Sequence, residues 1–69
     1  MWIRLSDPTL LDDLETFLLR AECSVRRAGV DRLEVEVPSA PGPEQARREL
    51  ELYLAGWRAR HPGAEVEIE

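Results

Sequence analysis

The sequence predicts an α+β fold in which a four-stranded antiparallel sheet carries two helices. Two stretches alternate an aliphatic residue with a glutamate: LEVEVP at Leu33–Pro38 and AEVEIE at Ala64–Glu69. This period of two is typical of strands with one buried face. Two longer stretches repeat their apolar residues at helical spacing, and each begins with a proline that follows an Asp or a Gly. The predicted order is strand, helix, strand, strand, helix, strand.

The first half of the chain predicts a strand, a helix and a second strand. Met1–Ser6 alternates apolar and polar residues, as a half-buried strand does. Asp7 and Pro8 form a typical helix start, because Asp caps free amides and Pro suits the first helical position. The helix TLLDDLETFLLRA follows, and Cys23–Ala28 is the second strand. The predicted buried stripe of this helix contains Leu10, Leu11, Leu14, Phe17, Leu18 and Ala21.

The second half of the chain repeats this arrangement after a short turn. Gly29–Asp31 predicts a hairpin turn, and Arg32–Val37 predicts the third strand. The second helix, EQARRELELYLAGWRAR, follows a proline at its first helical position, and Pro62-Gly63 ends it. Ala64–Glu69 is the last strand. The predicted buried stripe of this helix contains Ala46, Leu50, Tyr53, Leu54 and Trp57.

A hairpin between two halves with helices of similar length favours a split βαβ arrangement. The expected strand order is 4-1-3-2, with both helices on one face of the sheet. Over the whole chain this pattern resembles the ferredoxin-like fold, a two-layer α/β sandwich. We therefore predict a single ferredoxin-like domain over residues 1–69. The fold hosts many unrelated functions, so the resemblance implies an architecture and no activity.

If both helices cover one face of the sheet, the other face carries the residues of every strand that alternate with the buried ones. These residues are Trp2, Arg4, Ser24, Arg26, Glu34, Glu36, Glu65, Glu67 and Glu69. Opposite charges on neighbouring strands attract each other by about 0.2–1 kcal/mol per pair. We therefore expect the glutamates to face water and Arg4 or Arg26. Clustered carboxylates could instead approach a divalent cation, but no tight loop supplies carbonyl ligands, so we expect no metal and no cofactor.

The composition of the chain argues against several classes of function. The net charge is −5 and all nine basic residues are arginine, so we expect no nucleic acid partner and no Schiff-base chemistry. The single Cys23 has no cysteine to pair with, and His61 alone cannot complete a zinc site with it. No apolar run suits a membrane helix or a signal peptide. We therefore expect a complete cytoplasmic protein that does not bind membranes.

Two further resemblances come from particular stretches of the chain. Asp7–Leu11 and Ala21–Cys23 take the places of a loop and a strand start in ACT regulatory domains, although Thr9 or Glu22 replaces the family's glycine. This resemblance implies a small-molecule sensor with its ligand near Asp7, Thr9 and Leu10. The stretches LEVEVP, PEQARRELELYL and HPGAEVEIE resemble a group of short uncharacterised bacterial proteins. That resemblance implies the fold and no known activity.

Two side chains could carry chemistry, and we expect neither to be catalytic. His61 has the side chain best suited to general-base work near neutral pH. No motif places a serine, cysteine or carboxylate beside it, so we expect a solvated histidine at the end of a helix. Cys23 begins an inner strand, and we expect it to be a small buried hydrophobe and not a nucleophile.

Three apolar residues fall outside the predicted buried surfaces. Leu19 and Leu52 lie about 145° and about 140° from the centres of their helix stripes, and Trp2 points to the open side of the sheet. Two protomers could bury Leu19 and Leu52 together, or Trp2 with the stem of Arg4 could centre a contact between sheet faces. We expect a non-enzymatic domain that binds a protein partner, most simply a second copy of itself. The ACT-like sensor is the alternative.

Overall fold

The computed structural model describes all 69 residues and confirms the predicted α+β class. Four strands and two helices occur in the expected order, and a short 3-10 helix, Pro8–Leu10, precedes the first helix. Neither helix combines the length and apolar content that crossing a membrane requires. The bounds are β1 Trp2–Leu5, α1 Leu11–Arg20, β2 Ser24–Arg27, β3 Arg32–Glu36, α2 Pro43–Arg60 and β4 Val66–Ile68.

All four strands belong to one antiparallel sheet with the order β2-β3-β1-β4. Counted from the β4 edge, this order reads 4-1-3-2. The hairpin formed by β2 and β3 places Val25 opposite Val35. Strand β1 lies between β3 and β4, where Ile3 is opposite both Leu33 and Ile68. The two edges of the sheet are therefore β2 and β4.

All four strands are shorter than the sequence predicts, and in β2 and β4 the first predicted residue makes a different hydrogen bond. The predicted strand Cys23–Ala28 is reduced to β2, since the Cys23 amide donates to the carbonyl oxygen of Leu18 at the end of α1. The predicted strand Ala64–Glu69 is reduced to β4. Its first amide, at Ala64, donates to the carbonyl oxygen of His61 and closes a turn.

The predicted start of the first helix is confirmed, although its opening turn is tighter than an α-helix. The Asp7 Oδ1 atom accepts hydrogen bonds from the Thr9 amide at 3.0 Å and the Thr9 hydroxyl at 2.6 Å. Pro8 occupies the first helical position. The Leu10 amide donates to the Asp7 carbonyl three residues back, which is the 3-10 pattern. The α-helix proper therefore begins at Leu11.

One core of twelve buried residues lies against a single face of the sheet. Residues alternate along β1, where Ile3 and Leu5 are buried and Trp2 and Arg4 are exposed. On β4, Val66 is half-buried and packs against the same core. Both helices contribute, as their apolar stripes predict. The core consists of Ile3, Leu5, Leu11, Leu14, Leu18, Cys23, Leu33, Val35, Val37, Leu50, Leu54 and Trp57.

The opposite face of the sheet, termed the open face below, is polar and largely solvent-exposed. Side chains of successive strand residues point to opposite faces, so the neighbours of the buried strand residues all lie here. The open face carries Trp2, Arg4, Ser24, Arg26, Arg32, Glu34, Glu36, Glu67 and Glu69. Core and open face therefore divide the strand residues as the alternation in the sequence predicts.

Helix α1 ends in a Schellman motif that places Glu22 in the left-handed region. The Cys23 amide donates to the Leu18 carbonyl, and the Glu22 amide donates to the Leu19 carbonyl, both at 3.0 Å. This pair of bonds requires a positive φ at Glu22, and its φ is 66°. Cys23 and Leu18 both belong to the buried core. The turn aims the chain from α1 directly into β2.

Candidate functional site

A cleft of about 640 Å³ opens between α1 and α2, and we term it the interhelical cleft. Four of its eight lining residues carry a charged or titratable side chain. Five lining residues belong to α1 and the residue that ends it, and three belong to the last turns of α2. The lining consists of Asp13, Thr16, Phe17, Arg20, Ala21, Trp57, Arg60 and His61.

Three of these lining residues form a hydrogen-bonded cluster. The indole Nε1 of Trp57 donates to Asp13 Oδ2 at 2.8 Å, and His61 Nε2 lies 3.0 Å from the same oxygen. The rings of Trp57 and His61 stack with their centroids 4.1 Å apart and their planes 18° apart. Because Trp57 is almost fully buried, Asp13 supplies an acceptor for an N–H that needs one. The cluster joins the start of α1 to the end of α2.

Both ring nitrogens of His61 contact hydrogen-bond acceptors. Nδ1 lies 2.9 Å from the carbonyl oxygen of Trp57, and Nε2 faces the carboxylate of Asp13. Carbonyl and carboxylate oxygens only accept, so both contacts are hydrogen bonds when both nitrogens carry a proton. In that form the imidazolium also offsets the charge of Asp13. A neutral ring can keep only one of the two hydrogen bonds.

His61 lies at the end of the second helix, as predicted, but it is half-buried and a carboxylate lies beside it. That carboxylate belongs to Asp13, which lies in the first turn of α1 and was not among the predicted site residues. Asp13 and Trp57 are 44 residues apart, so no local motif connects them. The available signal was topological, since a helix pair that runs in opposite directions brings the start of one helix beside the end of the other. Arg20, at the end of α1, was likewise not predicted to line a cleft with Arg60.

The interhelical cleft lacks the usual partners for an Asp–His pair in nucleophilic catalysis. No serine, cysteine or lysine lines it, and Thr16 provides its single hydroxyl group. An activated nucleophile needs a base within hydrogen-bonding distance, and no contact joins Thr16 to His61. The visible role of Asp13 and His61 is to position Trp57 and to hold the two helices together.

The open face pairs its charges largely as the sequence predicts. Arg26 bonds to Glu34 across β2 and β3, and Arg4 lies 3.1 Å from Glu69. Arg32 differs from the expected pattern, since it lies directly opposite Arg4. The carboxylate of Glu69 is 3.6 Å from Arg32 and so contacts both guanidinium groups. No three His, Cys, Asp or Glu side chains meet in a way that could hold a metal ion.

The three predicted interface residues are exposed, and they occupy two separate sides of the sheet. The exposed fractions are 44% for Trp2, 52% for Leu19 and 72% for Leu52. Trp2 lies on the open face, whereas Leu19 and Leu52 lie on the helices. Val30, in the turn between β2 and β3, is 80% exposed and was not among the predicted residues. Exposure is what an interface requires, but it does not by itself test one.

The residues assigned to the alternative ligand site have structural partners. Asp7 and Thr9 bond to each other at the helix start, and Leu10 is half-buried against the core. Glu22, which with Thr9 is one of the two candidates for the position of the ACT family's glycine, has the backbone conformation that glycine favours. These contacts describe the start and end of a helix. The support for the sensor hypothesis is therefore the resemblance of the sequence to ACT domains.

Cys23 is buried in the core, as predicted, with 5% of its surface exposed. Burial raises the pKa of the Cys23 thiol above its ordinary value, and the nearby Glu49 carboxylate adds to the rise. Thiolates are the reactive form of cysteine, so a raised pKa and a buried sulfur both oppose nucleophilic chemistry. Cys23 acts here as a small apolar residue of the core.

No family model, curated protein or solved structure matches the chain. The resemblances to the ferredoxin-like fold, to ACT domains and to short bacterial proteins therefore stay predictions from the sequence.

Proposed function

We propose that the chain is a ferredoxin-like two-layer sandwich without enzymatic activity that acts by binding a protein partner, most simply a second copy of itself. The element order and the antiparallel sheet support the proposed architecture. The contribution of both helices to one core on one side of the sheet supports it further. A non-enzymatic role is in keeping with a cleft in which Asp13 and His61 contact each other and no nucleophile is placed beside them.

The observation that carries this proposal is the exposure of Trp2 on the open face. Trp2 lies on β1, one of the two central strands, so its side chain stands near the middle of the face. It is 44% exposed, although tryptophan has a large apolar surface. Tryptophan is enriched among the residues that dominate binding energy at the centres of interfaces. The preferred interface is therefore the open face, with Trp2 as its anchor.

The charges around Trp2 suit a second copy of the same face. A two-fold interface brings one patch against itself, so the patch must be complementary to itself. The open face carries both signs, with Arg26 bonded to Glu34 on one side of Trp2 and Arg4 bonded to Glu69 on the other. A protomer rotated by 180° can therefore present carboxylates to arginines. A face of one sign would repel its copy.

Sedimentation velocity from about 1 μM to about 1 mM protein tests the proposal, since this range spans weak and moderate dimers. We expect a reversible monomer–dimer equilibrium in which Trp2→Ser weakens association at least about ten-fold, as loss of an interface anchor does. Val30→Ser is the matched control, because it removes another exposed apolar side chain from a turn outside the open face. It should leave association unchanged.

Two outcomes of this experiment would change the proposal. A strict monomer over the whole range contradicts self-association and leaves only a different protein as the partner. Weakening by Leu19→Ser or Leu52→Ser, with no effect of Trp2→Ser, moves the interface from the open face to the helices. Thermal unfolding of each variant checks that the fold is kept, which the exposure of all four residues favours.

A further inference from the structure

Two arginines in the interhelical cleft have no carboxylate partner. The chain has 14 acidic residues for nine arginines, so carboxylates are in excess. Five arginines use them in ion pairs: Arg4, Arg26, Arg27, Arg32 and Arg47. Arg20 and Arg60 make no ion pair, and both line the same cavity. One cleft of an acidic protein is therefore lined by two arginines that have no ion-pair partner.

The only carboxylate in the cleft is already engaged. Asp13 Oδ2 accepts from Trp57 Nε1 and contacts His61 Nε2, and these contacts hold it against the wall of the cleft. Neither Arg20 nor Arg60 contacts it. The cleft is lined by two arginines and one carboxylate, so its permanently charged groups are net positive. Guanidinium groups bind carboxylates and phosphates through paired, charge-assisted hydrogen bonds.

The rest of the lining is suited to a small organic body. Phe17 and Ala21 provide half-buried apolar surface beside the arginines, and Thr16 adds a hydroxyl group. The volume of about 640 Å³ lies within the range of small-molecule sites in proteins. A bare inorganic ion would leave most of this space and its apolar wall unused.

We propose that the interhelical cleft binds a small organic oxyanion. Arg20 and Arg60 hold its carboxylate or phosphate group, and Phe17 packs against its apolar part. The Trp57–His61 ring pair forms the rigid wall of the site, and Asp13 positions that wall without touching the ligand. This site lies on the helical side, away from Trp2 and the open face, so it does not depend on self-association.

Tryptophan fluorescence provides a direct test. In a Trp2→Phe background, Trp57 is the only tryptophan and reports on the cleft alone. The probes are phenyl phosphate, benzoate and inorganic phosphate, with benzyl alcohol as the uncharged comparison. We expect a saturable change with phenyl phosphate or benzoate below about 10 mM. Inorganic phosphate should bind at least about ten-fold more weakly, because it lacks the apolar part, and benzyl alcohol should give no saturable change.

Four single variants locate the site. Arg20→Gln and Arg60→Gln should each weaken binding of the better aromatic probe about ten-fold, through loss of a charge-assisted hydrogen bond. Arg48→Gln and Arg58→Gln are the matched controls, since these arginines are also on α2 and unpaired but lie outside the cleft. The controls should keep the affinity of the unsubstituted cleft. Unchanged thermal unfolding shows that all four variants fold.

The proposal is overturned if no probe gives a saturable change, or if the control variants weaken binding as much as the cleft variants do. The second result would indicate general attraction of an anion by positive charge. Tight binding of inorganic phosphate equal to that of phenyl phosphate would also overturn it, because the apolar wall would then have no role. The ratio of phenyl phosphate to benzoate affinity identifies the head group that the arginines prefer.

Discussion

At the residue scale, Glu22 carries a strain that a single substitution can remove. Its φ of 66° costs an L-residue about 1–2 kcal/mol, and glycine avoids this cost. We predict that the free energy of unfolding, measured by chemical denaturation, is about 1 kcal/mol higher for Glu22→Gly than for Glu22→Ala. Both variants remove the carboxylate from the end of α1, so their difference isolates the backbone effect. Equal stabilities would show that the left-handed turn is not strained.

The residue scale also separates what the sequence could predict from what it could not. Asp7 was predictable as a helix cap because an Asp followed by a Pro is a helix-start signal that depends on no distant residue. The Schellman motif at Glu22 was not, because its usual sign is a glycine and none is present. The Glu69 contact with both Arg4 and Arg32 depends on the exact register of β1 with its neighbours. Alternation predicts on which face of the sheet a residue lies, but not which residue lies opposite it on the neighbouring strand.

At the element scale, the bond between Asp13 and Trp57 couples the two helices. Asp13→Ala leaves the buried Trp57 N–H without an acceptor, and we predict a loss of about 1–3 kcal/mol in the free energy of unfolding. In the Trp57→Phe background, Asp13→Ala should lower the free energy of unfolding by a smaller amount. The difference between the two losses is the coupling energy, which we expect to be about 0.5–3 kcal/mol. Urea denaturation of the four proteins in this cycle measures it.

Asp12→Ala provides the control for this cycle. Asp12 is the adjacent residue in the same helical turn, and its partner is the exposed Arg27. We expect a loss below about 1 kcal/mol, as for other surface ion pairs, and the same loss with either residue at position 57. Additive effects of Asp13→Ala and Trp57→Phe would contradict a structural role for the cluster.

The interhelical cleft shows why elements were easier to predict than their contacts. Each helix has caps and an apolar stripe that can be read within about fifteen residues, the usual span of such a pattern. The stripes predicted Leu14 and Leu54 in the core, and both are buried. The position of one helix along the other is not encoded in either stripe. That relative position brings Asp13 beside Trp57, so the site is visible only once the two helices are packed together.

At the scale of the whole molecule, stability depends on one small core. A chain of this length has an unfolding free energy near the lower end of about 5–15 kcal/mol. Leu54 is 3% exposed and belongs to the core, so Leu54→Ala should cost about 2–5 kcal/mol and leave a substantial unfolded fraction. Circular dichroism with denaturant, at low micromolar protein, measures this loss.

Leu52→Ala is the matched control on the same helix. Leu52 is 72% exposed, and we expect a change within about 0.5 kcal/mol. Similar losses for the two variants would contradict the assignment of the buried face of α2. The arrangement of the whole chain was predictable to this extent because aliphatic alternation and helix stripes agree on one buried side. Contacts of Trp2 outside the chain could not be predicted in this way, because neither pattern describes what an exposed side chain binds.

The hydrogen bond from the Glu69 amide to the Trp2 carbonyl, 2.8 Å long, has a consequence for engineering. It brings the two ends of the chain side by side in adjacent strands. A short flexible linker could therefore join them, and new ends could be opened at the exposed Val30 in the β2–β3 turn. Such a circular permutant would keep every strand neighbour while its folding order changes.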